Sequence, residues 1–186
     1  MAVKHGGGTS PRRLARRYAV LGLYQWQLTG QSPVDIALQL SDDEDWLREV
    51  AAGVRGADED GGEGRVPAED LAYEQGHFQR LMKGVAREQT AIDAQLEGVI
   101  DRGIDQVDPV ERAILRVGAF ELLFCPDVPY QVSINEAVDL AKLLGAEQGH
   151  RYVNGVLDKI ARGLRAEPTG GGVAGRQLES RCPSMI

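Results

Sequence analysis

From Pro11 to Leu164 apolar residues recur at helical spacing, and no run of alternating β-branched residues bounded by turn signals breaks the pattern. The pattern predicts an all-α domain of about six or seven helices. The first starts with Ser10 as N-cap and Pro11 in the first helical position. On a helical wheel its Leu14, Leu21 and Leu28 line one stripe. A second helix runs through Leu47, Val50, Ala51 and Val54 and stops at Gly56. Beyond Pro67, Leu71, Phe78, Leu81, Met82 and Val85 mark a third, and Ile92, Leu96, Val99 and Ile100 a fourth. Asp108-Pro109-Val110-Glu111 has the form of a capping box. The helix it opens, through Val117, Phe120 and Phe124 to Cys125, is apolar on more than one side and is expected at the centre of the core. Ser133 and Glu136 repeat the capping pattern ahead of Ile134, Val138 and Ala141, with Gly145 as the stop. Val153, Val156, Leu157, Ile160 and Leu164 form the stripe of the last helix.

Outside this periodic region the composition changes. Residues 1–10 read as a disordered basic arm and 166–186 as a flexible C-terminal tail, leaving 11–165 as one domain. Such a length can bury a core without staples. Cys125 and Cys182 have neither zinc nor disulfide-framework spacing, which suits a reduced, intracellular chain. No apolar run approaches the roughly 20 residues of a membrane span, and no signal-peptide core precedes Pro11. A cytoplasmic location without membrane attachment is expected. The net charge of −7 hides a strong asymmetry: residues 1–30 hold five cations and no carboxylate, whereas residues 41–74 hold three arginines against twelve carboxylates. Within the second region Gly56–Gly64 reads as an exposed acidic loop. A polyanion would approach the first end and avoid the second.

Catalysis has little to stand on. His5, His77 and His150 are scattered without the helical pair of a metalloprotease, and no glycine-rich loop ends in Lys-Ser or Lys-Thr. GAEQGH lies between helices rather than after a strand, which argues against a dinucleotide site. The chain is therefore read as a non-enzyme with no catalytic residue, metal or cofactor, and its histidines as surface or packing residues. Arg12, Arg13, Arg16 and Arg17 cluster beside the apolar stripe of the first helix, and Tyr24 falls next to Arg13 and Arg17 on the wheel. Guanidinium groups grip phosphates while a neighbouring ring stacks on an unpaired base, a combination suited to single-stranded RNA. Tyr24 reads equally well as a half-buried rim residue. Asn135 and Asn154 are expected to tie helix ends together through side-chain hydrogen bonds.

Two segments carry a resemblance. The opening RRLARRYAVLGLYQWQL (Arg12–Leu28) and the closing VPYQVSINEAVDLAKLLGAEQGHRYVNGVLDKIA (Val128–Ala161) are similar to the NusB transcription antitermination family, the closing segment being far the more specific. The resemblance implies an all-helical bundle of two packed subdomains. It also implies a factor that binds boxA, a short single-stranded element of nascent RNA, together with the small-subunit ribosomal protein also called NusE. That pair acts in an antitermination complex on RNA polymerase during ribosomal RNA synthesis. On the matching positions, Arg12, Arg13, Arg16 and Tyr24 would meet RNA, with Arg17 added from the arginine cluster itself, joined by Arg151 and Tyr152 at the start of the last helix, where free amides attract phosphate. Glu111, Arg116, Glu121 and Tyr130 would face the ribosomal partner, although capping alone also accounts for Glu111. Leu21 stands where many members have Gln, and Gln148 replaces an acidic residue common in that turn. Two other readings remain open: a helical scaffold that binds protein or dimerises without RNA, and the NusB-like part of a ribosomal RNA methyltransferase. The methyltransferase would need an α/β cofactor domain. Monomer and homodimer are both compatible with the sequence.

Overall fold

The computed structural model describes residues 10–52 and 72–166. Among these it contains eight α-helices, one short 3-10 turn over Ile104–Gln106 and no strand. The helices are α1 (Pro11–Thr29), α2 (Pro33–Asp42), α3 (Glu44–Ala52), α4 (Gln75–Arg87), α5 (Gln89–Glu97), α6 (Pro109–Phe124), α7 (Tyr130–Leu144) and α8 (Gly149–Ala166). The acidic stretch Gly56–Gly64 lies outside the described residues. So do the proposed arm and tail, except that Ser10 caps α1 and Ala166 ends α8.

The signals at both ends of α1 act as expected. Ser10 Oγ accepts from the Arg13 amide at 3.3 Å, Pro11 occupies the first turn, and Gly30 closes the helix at φ +67°, a backbone region that suits glycine. Asp108 does the same for α6, its carboxylate accepting from the amides of Val110 (2.9 Å) and Glu111 (3.3 Å). Elsewhere the structure corrects the sequence reading. Ser133 does not cap α7, which starts one turn earlier with Pro129 at the N-cap; Ser133 is buried. Pro33–Asp42, to which the sequence reading gave no helix, forms a separate one, α2, which buries Ile36, Ala37 and Leu40, and the helix through Leu47 is α3, starting at Glu44. On α1 Leu14 is buried, but Leu28 is 57% exposed, and the buried face runs instead through Ala15, Tyr18, Ala19, Val20 and Leu23. Over residues 14–20 α1 is buried on every side, whereas Leu28, Thr29 and Gly30 at its C-terminal end are all exposed, so Leu28 lies beyond the packed part of the helix. Leu164 is likewise exposed.

α1 to α4 pack among themselves, as do α5 to α8, and the two groups join where α6 lies against α1 and α4. One continuous apolar core results, with α6 at its centre touching α1, α4, α5, α7 and α8. The α4–α6 crossing is close because Gly84 has no side chain: a Cβ there would overlap the Phe120 ring. Tyr18, fully buried, meets Trp46 of α3 and the Tyr73 ring at centroid distances of 5.3 and 5.0 Å and donates to the Leu47 carbonyl, pinning α3 onto α1. Cys125, at the end of α6, is buried, and burial pushes its thiol up to about 11. No described helix is long and apolar enough to cross a membrane.

Candidate nucleic-acid interface

The four arginines of α1 do not form one solvent-facing cluster. Arg12 and Arg13 are about half exposed, whereas Arg16 and Arg17 are buried. Their long-range partners explain the split. Arg16 Nε donates to Glu121 of α6 at 2.9 Å, and the same Glu121 oxygen lies 3.0 Å from Nε2 of His77 on α4. Burial alone would raise the Glu121 pKa, but the His77 hydrogen bond and the Arg16 charge outweigh it and hold the group below its ordinary value. Arg16 Nη1 also lies 3.7 Å from Glu136 of α7. Arg16 thus neutralises a carboxylate inside the core, and a phosphate cannot reach it while the helices stay packed.

Arg13 continues this line of charge to the surface. It donates from Nε and Nη2 to Glu136 at 2.9–3.2 Å and from Nη2 to Asp139 at 3.2 Å. Arg12 pairs with Glu74 at 3.0 Å and with Asp127 at 3.9 Å. Arg17 donates from Nη1 to the Val50 carbonyl near the C-terminus of α3, where a cation suits the helix dipole. Burial lowers the Arg17 pKa to about 10. Between α1 and α7 lies a cleft of about 310 Å³ lined by Arg13, Arg17, Glu136, Asp139, Leu140, Lys142 and Leu143. Tyr24, half-buried against the core, sits seven residues beyond Arg17 on α1, about 10 Å further along the axis.

Arg151 and Tyr152 occupy the first turn of α8, Arg151 exposed and Tyr152 half-buried. The Tyr152 ring lies under the Arg102 guanidinium at 5.4 Å, and burial raises its phenol pKa despite that charge. Glu111 meets α8 at the same place: a Cβ on Gly149 would overlap its carboxylate. Burial first, then Asp108, raises the Glu111 pKa. Arg116 is buried, with a two-toothed grip on Asp93 (2.9 and 2.8 Å) and a 2.6 Å bond to Gln27, so it ties α6 to α5 and α1. Tyr130 is exposed and carries Arg165 over its ring at 4.5 Å. Asn135 and Asn154 are exposed and make no side-chain hydrogen bond among the described residues, so they do not tie helix ends together. No group of three or more His, Cys, Asp or Glu among the described residues is placed to hold a metal ion.

The NusB family model matches residues 13–162. The chain belongs to the NusB family. Transcription antitermination protein NusB of Nitrosococcus oceani is 46% identical over 155 residues, covering 83% of this chain and 88% of the relative. Among solved structures, the solution structure of NusB from Aquifex aeolicus aligns with a TM-score of 0.59 at 25% identity, covering 91% of this chain and 99% of that one. A crystal structure of antitermination factors NusB and NusE in complex with double-stranded RNA aligns at 0.59 and 26%, covering 81% and 96%.

Within the NusB fold seen here, the residues expected to meet RNA separate into groups. Arg13 and Arg17 share the α1–α7 cleft, Arg12 stands beside α4, Arg151 and Tyr152 stand at the start of α8, and Arg16 lies in the interior. Glu111 and Tyr130 reach solvent, whereas Arg116 and Glu121 are core ion-pair residues. The cleft beside the arginine-rich helix is closed by α7, whereas Arg151 and Tyr152 stand apart from it at the start of α8. Sequence reasoning missed Glu136, Asp139 and Lys142 as cleft residues. Their spacing of three along α7 puts them on neighbouring parts of one face, which was the available signal.

Proposed function

We propose that this chain is a transcription antitermination factor that binds boxA-type RNA jointly with the ribosomal protein NusE, in the RNA polymerase antitermination complex of ribosomal RNA synthesis. The observation that carries the reading is family membership along nearly the whole folded region, with curated relatives named as transcription antitermination proteins. The geometry adds a physical route. Arg12, Arg13 and Lys142 are cations with exposed side chains, Arg17 lines the cleft behind them, and Arg151 sits in the first turn of α8, where free amides favour phosphate. Tyr24 and Tyr152 supply half-buried rings for stacking on unpaired bases. Arg16 and Glu121 act in this reading as an internal brace, and Arg116 as another, leaving Glu111 and Tyr130 as the candidates to face NusE.

This is a binding role without a reaction, carried out where RNA is made, in the cytoplasm. Fluorescence anisotropy tests it, using the full chain with labelled boxA-type RNA, a scrambled strand and a duplex, each with and without purified NusE. The boxA-type strand is expected to bind more tightly than the scrambled one, and more tightly again with NusE present. Equal affinity for all three RNAs in both conditions would reject the single-stranded boxA reading, while binding of NusE with no RNA at all would favour the protein-binding scaffold.

A further inference from the structure

We propose that Asp139 is a built-in competitor for RNA, its carboxylate holding the cations of the α1–α7 cleft and so setting how tightly phosphates bind there. The inference rests on the RNA-binding reading above and adds a residue that tunes it. Asp139 Oδ2 accepts from Arg13 Nη2 at 3.2 Å and its Oδ1 from Lys142 Nζ at 3.3 Å, so one carboxylate occupies two of the three cations lining the cleft. The third, Arg17, donates to the Val50 carbonyl and makes no ion pair with a described carboxylate. Its lowered pKa is what a buried cation without a countercharge should show.

The other carboxylate of the cleft has a different task. Glu136 is only 15% exposed and links Arg13 to the buried Arg16, so it belongs to the line of charge that enters the core. Asp139 is 46% exposed and pairs only with cations that also reach solvent. Such exposed pairs contribute little to stability. Their effect falls instead on a charged ligand. A phosphate approaching Arg13 or Lys142 must displace Asp139 and is repelled by it until it does. With Asp139 present the cleft sets three cations against two carboxylates; without it, against one.

Anisotropy titrations of full-length Asp139→Asn with boxA-type single-stranded RNA and NusE, across a salt series, test this. The near-isosteric change is expected to tighten binding about three- to tenfold, as removal of one like charge at close range should. The log affinity against log salt should steepen by about 0.7 for each additional phosphate neutralised. Asp139→Glu, which keeps the charge, should match wild type in both values; a merely structural role for Asp139 would make Asp139→Asn bind more weakly, not more tightly. If wild-type protein binds RNA and Asp139→Asn binds with the same or lower affinity and an unchanged slope, the competitor role is overturned while the RNA reading stands. If wild-type protein binds no RNA even with NusE, both fail together.

Discussion

Glu121 shows how much of a residue's role depends on partners far away in sequence. On its helix it is an acidic residue among apolar ones; in the fold it is the shared acceptor of Arg16, 105 positions away, and His77. Removing its charge would leave Arg16 buried without its nearest counterion, a change that typically costs about 3–5 kcal/mol. Glu121→Gln should therefore show a clear drop in the urea midpoint at neutral pH. The folded pKa lies below the ordinary value of 4.5, so this stabilisation is complete above that value and is lost as pH falls through the folded pKa. The deficit of Glu121→Gln against wild type should then shrink on acidification, and urea melts giving a constant deficit from neutral to strongly acidic pH would contradict the assignment. Tyr24 is a residue-scale test of the RNA reading. If its half-buried ring stacks on a base, Tyr24→Ala should weaken RNA binding by about 1–3 kcal/mol, measured at a temperature where circular dichroism shows the variant fully folded. Unaltered affinity would make it a rim residue. The burial of Arg16 and Arg17 could not be read from the helical wheel, because the wheel places charges relative to their own helix and says nothing of a carboxylate that another helix delivers.

At the scale of elements, local chemistry was legible wherever it closed on itself. Ser10-Pro11 and Asp108-Pro109 fixed the starts of α1 and α6 because the cap and the amides it serves lie within one turn. Ser32-Pro33 carries the same pairing and opens α2, with Ile36, Ala37 and Leu40 on its buried side, so that missed helix was within reach of the sequence. Ser133 misled because a cap is defined by an extended backbone, and Pro129 already supplies that one turn earlier. Helix crossings were not legible: nothing around Gly84 states that Phe120 will lie against it. Gly84→Ala would force a Cβ into that ring and should destabilise the protein by about 1–3 kcal/mol, measured as a lower urea midpoint with α4 still helical by circular dichroism. A neutral or stabilising result, as helix propensity alone would give, would mean that α4 and α6 can move apart at little cost.

For the whole molecule, helical periodicity already gave the all-α class, the family resemblance added the two packed subdomains, and the central position of α6 followed from its apolar surface, yet the meeting of α1 and α7 side chains across a cleft came only from the three-dimensional arrangement. The two groups of helices share one core through α6, so they are expected to unfold together. Cys125 turns that expectation into something a chemist can clock. Its sulfur is shielded in the interior and its thiol stays protonated far above neutral pH, so an alkylating reagent has no thiolate to attack until the molecule opens. In a Cys182→Ser background, iodoacetamide should modify the native protein at least about 10³-fold more slowly than the same chain in strong urea, in proportion to the rare open molecules. A fast reaction under native conditions would reveal that the end of α6 breathes independently of the rest. Mass spectrometry of that one sulfur would then serve as a stopwatch for every variant named above.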